Sequence, residues 1–354
     1  MIPKRIKETK TFQRLTALAK KYERWTMPLM LLGGTATDAL QFRLLSLQTT
    51  IIISSVYAVI CAVAMMVMVT PVRETKLVMR YARLIAPFLQ QFTIGSLLST
   101  ALLFYWFSGS FSISWPIIGV IAGIMIVNEA ARHIVTRPDV QFGIFSFAII
   151  SLSSTLSAYL FNSLAPWVFV VGVIISLVLL GGYLVPFLNV SERHDAQKKH
   201  WLIVVGIAAF LTIFYFLNVI PPIPLSLRQA SMAYNVARSN GEYLLVKQEE
   251  NWLEKLIPGV TMTIQQGDPL YAFTVVSAPA DLRTTLVHNW EYYDPAVKKW
   301  VTKSLLSYQM TGGLSDGYHG YSYKTSLLAG KWRVAVQTTR GQVLARIPFY
   351  VVYK

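Results

Sequence analysis

The sequence predicts a membrane all-α bundle of seven transmembrane helices, followed by an all-β antiparallel sandwich of immunoglobulin-like type. Three observations carry that prediction. Residues 48–220 are repeated apolar runs of helix-spanning length, residues 225–354 have the composition of a soluble domain, and basic residues fall on alternate loops between the runs. Over the whole chain 14% of residues are charged, against about 25% in a typical soluble domain.

In chain order, residues 1–24 are a basic cytoplasmic tail, with Lys4, Arg5, Lys7, Lys10, Arg14, Lys20, Lys21 and Arg24 against Glu8 and Glu23. A hydrocarbon core about 30 Å thick needs about 20 apolar residues as helix. Seven stretches qualify: 25–42, 48–70, 88–107, 112–130, 142–162, 167–187 and 201–219. The third to sixth pair through the uncharged connectors SGSFSIS and NSLAP. The intervening loops are basic: Arg73, Lys76, Arg80 and Arg83, then Arg132 and Arg137, then Arg193, Lys198 and Lys199. The short loops of the opposite side carry only Arg43. Such asymmetry sets the N-terminus in the cytoplasm and, with an odd helix count, the C-terminal domain outside, in the periplasm. A first run that begins at residue 25 without a small-residue cleavage pattern reads as a span, not a cleaved leader.

The net charge of +15 does not indicate nucleic acid. Its excess flanks apolar segments, where orientation and anionic lipid account for it. Cys61 lies alone in an apolar run, so no internal disulfide can form and the residue reads as packing. Ionisable groups inside spans are functional candidates, and Asp38 is the leading one, either paired with Arg43 or marking an interfacial helix end. Glu129 and Arg132 are spaced for a local ion pair. Gly33-Gly34 and Gly181-Gly182 favour close helix packing. No internal repeat of the transporter kind is evident, and the seventh segment lacks the lysine a retinal Schiff base needs.

Residues 221–225 (PPIPL) are a proline-rich linker, because proline stops a helix and stiffens an extended chain. Residues 226–354 form the β domain. A short helix is predicted at 226–240, then strands at 243–248, 260–265, 270–279, 284–293, 299–310, 318–325, 331–338 and 342–353. Trp332, Val334 and Val336 share one face, matched by Val343, Ala345, Ile347, Phe349 and Val351, which makes Trp332 a core anchor.

Three segments then bear a resemblance: VHNWEYYDPAVKKWV (287–301), TGGLSDGYHGYSYK (311–324) and GKWRVAVQTTRGQVLARIPF (330–349). They resemble the bacterial domain of unknown function 2914, whose members place this domain after a run of membrane helices. The resemblance implies bacterial origin and a periplasmic domain, and supplies no activity.

The sequence holds no H-E-x-x-H zinc signature, phosphate-binding glycine loop or G-x-S-x-G elbow. No catalytic residue, metal site or cofactor is assigned. His288 and His319, with Asp316, are the one combination that a sandwich could bring together as a metal site or acid–base pair; the alternative is a strand histidine and a loop histidine with no shared role. The loop 311–323 is the candidate for recognition. It joins four glycines to Asp316, Tyr318, His319 and Tyr321, with Tyr323 at its edge, and loops on rigid sandwiches commonly carry binding. The leading expectation is a membrane-anchored binding module of the cell envelope, held by the bilayer and engaging an envelope protein or glycan. A transporter or channel component using Asp38 is the alternative, and a membrane or periplasmic enzyme the second alternative.

Overall fold

The computed structural model describes residues 33, 36–37, 47–70, 77–130, 137–191, 196–223, 225–239, 242–248, 259–279, 282–314 and 316–354. Among them are six helices long and apolar enough to cross a membrane: α1 (Leu47–Val69), α2 (Leu77–Ser108), α3 (Phe111–Ala130), α4 (Pro138–Leu160), α5 (Pro166–Val190) and α6 (Gln197–Phe216). Six of the seven predicted spans are thus helical. Of the first, 25–42, only Gly33, Ala36 and Thr37 are described, all helical. Asp38, Arg43, Arg132 and the side chain of Glu129 lie outside the described residues, and so do the readings that rest on them.

Two boundaries need correction: Lys198 and Lys199, expected in a loop, lie in the first turn of α6, which begins at Gln197. Arg80 and Arg83, expected in a loop, lie in the first turns of α2, which begins at Leu77. The stretch LVMRYARLI is rich in good helix formers, and the helix continues through Pro87. Helices α4 and α5 open on prolines, whose missing N–H is not needed at a first position. After α4 and α6, Asn162 and Asn218 take positive φ of 46° and 57°, the left-handed turn that ends a helix.

The chain divides into two units. The first comprises the residues up to Leu103 with 119–156 and 170–212. In it α2 and α4 are the inner helices: 67% and 61% of their spanning windows are buried, against 28% for α1, α3 and α6. Their buried faces carry small and hydroxylic residues, among them Ser96, Ser99, Ser146 and Ser151, which let helix backbones approach. Two of these hydroxyls are satisfied within their own helix: Ser99 donates to the Ser96 carbonyl at 3.1 Å and Ser146 to the Phe142 carbonyl at 2.7 Å. Gly181 permits a close approach, since a Cβ there would lie 2.9 Å from the Trp201 ring. Gly182 has open space instead, so the predicted packing role falls on one glycine of the pair. The outer helices present apolar stripes, as Ile52, Val56, Val59 and Val63 do on α1.

The second unit comprises 104–118, 157–169 and 213–354. Its strands are β1 (Ser226–Ala233), β2 (Asn235–Ser239), β3 (Glu242–Val246), β4 (Val260–Ile264), β5 (Leu270–Ser277), β6 (Arg283–Asp294), β7 (Lys299–Thr311), β8 (Tyr318–Lys324), β9 (Gly330–Thr338) and β10 (Val343–Tyr353). A sheet ordered β1-β5-β8 and one ordered β4-β10-β9-β6-β7 enclose a common core, and β2 and β3 form a separate hairpin. Trp290, Trp332 and Phe349 fill its centre at 0–1% exposure. Trp332 donates its indole N–H to the Leu328 carbonyl at 2.7 Å, so its polar edge is satisfied.

Four expectations are corrected here. Residues 226–233 and 235–239 are strands, not a helix: SLRQASMA pairs in antiparallel register with β5 from Ser226↔Ser277 to Ala233↔Tyr271. Tertiary pairing and burial of Met232 and Ala233 override a weak helical preference. The sandwich is not wholly antiparallel, because β10 pairs β4 in parallel. A bulge between Val343 and Ala345 shifts the face of β10, placing Leu344 rather than Ala345 in the core. Residues 220–223, around the expected spacer, are buried, and Leu225 joins the core.

Connectors and helix ends of this unit close on the β strands. Ser110 N–H donates to the Val343 carbonyl at 3.2 Å, Arg346 donates to Ser112 Oγ at 2.8 Å, and Gln342 donates to the Ile220 carbonyl at 3.2 Å. The Arg340 guanidinium lies 4.5 Å from the Tyr215 ring centroid.

Candidate functional site

Alternation along β5 and β8 sorts their side chains onto two faces. The inner face carries Thr274, Tyr318, Gly320 and Ser322. The outer face carries Tyr271, Phe273, His319, Tyr321 and Tyr323. The register Tyr271↔Tyr323 and Phe273↔Tyr321 brings the outer set together.

On the inner face a polar chain runs through the core. His288, wholly buried on β6, reaches Thr274 Oγ1 with Nε2 at 3.1 Å and Ser322 Oγ with Nδ1 at 2.8 Å. Ser322 accepts from the Trp290 indole N–H at 3.0 Å, which leaves its own proton for Nδ1. Thr274 donates to the Gly320 carbonyl at 3.3 Å, so it accepts from His288 Nε2–H and from the Tyr308 hydroxyl at 2.8 Å. The chain therefore closes on a neutral imidazole protonated at Nε2. Burial pushes the His288 pKa down to about 4. Burial likewise pushes the Tyr308 phenol up to about 12, opposed by its hydrogen bond with Thr274 and reinforced by the neighbouring Tyr318. Gly320 makes room for that phenol, since a Cβ there would lie 2.4 Å from the Tyr308 ring. The arrangement satisfies buried polar groups and fixes the register of two sheets.

His288 and His319 do not converge. The first points between the sheets and the second lies on the outer face, stacked on Tyr243 at 5.3 Å. Asp316 is exposed in the loop before β8. Among the described residues no three His, Cys, Asp or Glu side chains gather as a metal site.

The outer face is the candidate for recognition. Tyr321 and Tyr323 are 44% and 56% exposed. Tyr271 lies between them, with ring centroids 6.2 Å from Tyr321 and 5.5 Å from Tyr323. From the hairpin, Tyr243 packs edge-on to Tyr321 at 6.3 Å and tilts against Phe273 at 5.6 Å. The Arg238 guanidinium sits over Tyr243 at 5.7 Å. The structure thus separates the predicted residues: Tyr318 packs against the core, while His319, Tyr321 and Tyr323 stand on a strand rather than in a loop. Tyr243 and Tyr271 join them, and only the period-2 alternation of 270–277 hinted at the latter.

Residues 283–351 match the family described as Protein of unknown function (DUF2914). That span runs from the start of β6 into β10 and contains all three segments that bear the resemblance, 287–301, 311–324 and 330–349. No curated protein matches the chain. Among solved structures, an immunoglobulin-like protein from Pseudomonas aeruginosa aligns at 14% identity, covering 36% of this chain and 97% of that one, with a TM-score of 0.22. The Pseudomonas fluorescens alkylpurine DNA glycosylase AlkC, bound to DNA containing an abasic site analog, aligns at 9% identity over 78% of this chain and 88% of its own, with a TM-score of 0.25.

Proposed function

We propose that this protein is a membrane-anchored binding module of the bacterial envelope, in which a helix bundle displays a periplasmic β domain that captures a partner protein. Supporting the anchor are six helices of spanning length whose exposed surface is apolar, a surface that suits hydrocarbon and not water. The ends of α2, α3, α4, α5 and α6 within the β-domain unit carry exposed Trp106, Phe107, Phe111, Trp115, Phe161, Trp167 and Phe216. Among these, the tryptophans Trp106, Trp115 and Trp167 are of the kind that concentrates where bilayer meets water. Residues 25–42 supply a seventh span, which puts the basic tail in the cytoplasm and the β domain outside.

The observation that carries the binding reading is the outer tyrosine face. Its tyrosines and Arg238 are of the residue types enriched at interface hot spots. Tyrosine gives contact area with few rotatable bonds, and so little ordering cost. The test is chemical crosslinking in whole cells of full-length protein and of Tyr321→Ser combined with Tyr323→Ser. A discrete adduct in the wild type should fade in the double variant at unchanged protein level. Two hot-spot tyrosines at about 2 kcal/mol each correspond to a loss of several hundred-fold in affinity. Adducts of equal intensity in both proteins, or retention on cell-wall glycan that the substitutions abolish, would replace the protein partner with none or with a glycan.

A further inference from the structure

We propose that the helix bundle holds one acyl chain of an anionic phospholipid in a groove between α3, α4 and α6, with the lipid phosphate at Lys199. The inference rests on the membrane reading above and is independent of the tyrosine face. The groove measures about 500 Å³, and Val120, Ile124, Phe147, Ile207 and Phe210 line it with apolar surface. Its polar lining is confined to one end, where Asp139 and Lys199 stand.

The groove exists because two wall positions lack side chains. Gly143 and Gly206 both line it, and a Cβ on Gly206 would meet nothing within 4 Å. Neither crowding nor helix propensity calls for glycine at that position, since glycine costs about 1 kcal/mol relative to alanine inside a helix. An open apolar channel is what its absence of side chain provides.

Length identifies what fits. From Lys199 to Phe210 the wall of α6 spans about 17 Å at 1.5 Å per residue. One leaflet contributes about 15 Å of a 30 Å hydrocarbon core. The channel therefore matches a single acyl chain, and is too short to be a path across the bilayer.

Charge selects the headgroup. Lys199 pairs with Asp139, and His200 Nε2 lies 3.4 Å from the other carboxylate oxygen. An ammonium has three donors, and the Lys199 side chain is 61% exposed, so it can take a phosphate oxygen alongside Asp139. Arg137, just before α4, and Lys198, beside Lys199 in the first turn of α6, are exposed, so among the described residues these two helix starts carry three exposed cations and the one carboxylate of Asp139. That excess favours an anionic over a zwitterionic headgroup.

The experiment uses full-length protein reconstituted in phosphatidylcholine vesicles with spin-labelled phosphatidylglycerol or spin-labelled phosphatidylcholine. The motionally restricted fraction of the spectrum reports bound lipid. Wild type should restrict phosphatidylglycerol more strongly than phosphatidylcholine. Lys199→Gln should reduce that preference by about fivefold, the value of one near-surface cation, while Gly206→Leu should remove the site for both lipids by filling the channel. Equal restriction of the two lipids by wild type, or an undiminished phosphatidylglycerol signal in folded Gly206→Leu, would overturn the proposal. Dimerisation through this face, read as a disulfide between Ile207→Cys chains, would overturn it in favour of a second copy. If Gly206→Leu does not fold, phosphatidylglycerol with a photoreactive acyl chain decides on the wild type. It should label Phe147 and Ile207 well above the exposed Val59 and Val178, and uniform labelling refutes the site. Extraction of the protein from cell membranes by alkaline carbonate would instead refute the membrane reading itself.

Discussion

The buried imidazole of His288 makes the β domain acid-sensitive in a defined window. In the unfolded chain a histidine titrates near 6.5, whereas burial holds His288 down to about 4 in the folded domain. A base whose pKa is depressed by folding is bound more readily by protons when unfolded. The stability it contributes is therefore full above pH 6.5 and is lost as pH falls from 6.5 toward 4. A separation of about 2.5 units at 1.36 kcal/mol each amounts to about 3 kcal/mol. The slope approaches 1.4 kcal/mol per pH unit in the middle of the window. Residues 225–354 alone are the suitable sample, because every buried member of the core cluster lies within them. Urea unfolding, followed by tryptophan fluorescence between pH 7.5 and 4 (an experimental range of roughly the two pKa values and a margin), gives the stability curve. His288→Gln supplies a neutral side chain with a donor and an acceptor for Thr274 and Ser322. It should be less stable at neutral pH but should flatten the acid limb. Carboxylates contribute to that limb in both proteins, so the difference between the two curves isolates the histidine. Parallel curves would refute the reasoning, because the acid loss would then belong to other groups.

Two other outcomes follow from the same core and from the charge pattern. Trp332→Ala should cost about 3–5 kcal/mol in the same fragment, since the side chain is 1% exposed and packs on Tyr292 and Phe349 with centroids 5.1 and 6.3 Å away; a loss below about 1 kcal/mol would mean that the indole is not enclosed. A reporter active only outside the cytoplasm should work when fused after Lys354 or within 108–112 and fail within 190–199, and activity at the last site would overturn the inferred orientation and the helix count together.

Most of the architecture was legible in the sequence because it rests on one-dimensional signals. Twenty apolar residues in a row specify a span whatever surrounds them, and six described helices lie where those runs predicted. Strands from 243 onward were equally legible, because alternation of Trp332, Val334 and Val336 records a sheet with one dry face. The three segments that pointed to a family lie wholly within the matched span 283–351. The misplaced elements share a cause. SLRQASMA has no strong period of its own, and its strand exists only because β5 offers an edge to pair with. Arg80 and Arg83 read as loop by charge, yet the first turns of α2 hold them as helix. The bulge at Val343 is invisible to a pattern of strict alternation, so Ala345 was assigned a face that Leu344 occupies. For the site, the sequence supplied the tyrosines and could not divide them. Whether Tyr318 or Tyr321 faces the core depends on a register set by pairing with β5 across roughly forty-five intervening residues, a non-local choice. The convergence of Tyr243, Tyr271 and Tyr321, the burial of His288 between Thr274 and Ser322, and the groove at Gly206 each join residues far apart in the chain. Composition and periodicity determined what kind of element each segment is; only the tertiary structure decided which side chains meet, because that is fixed by pairing and packing between elements and not within them.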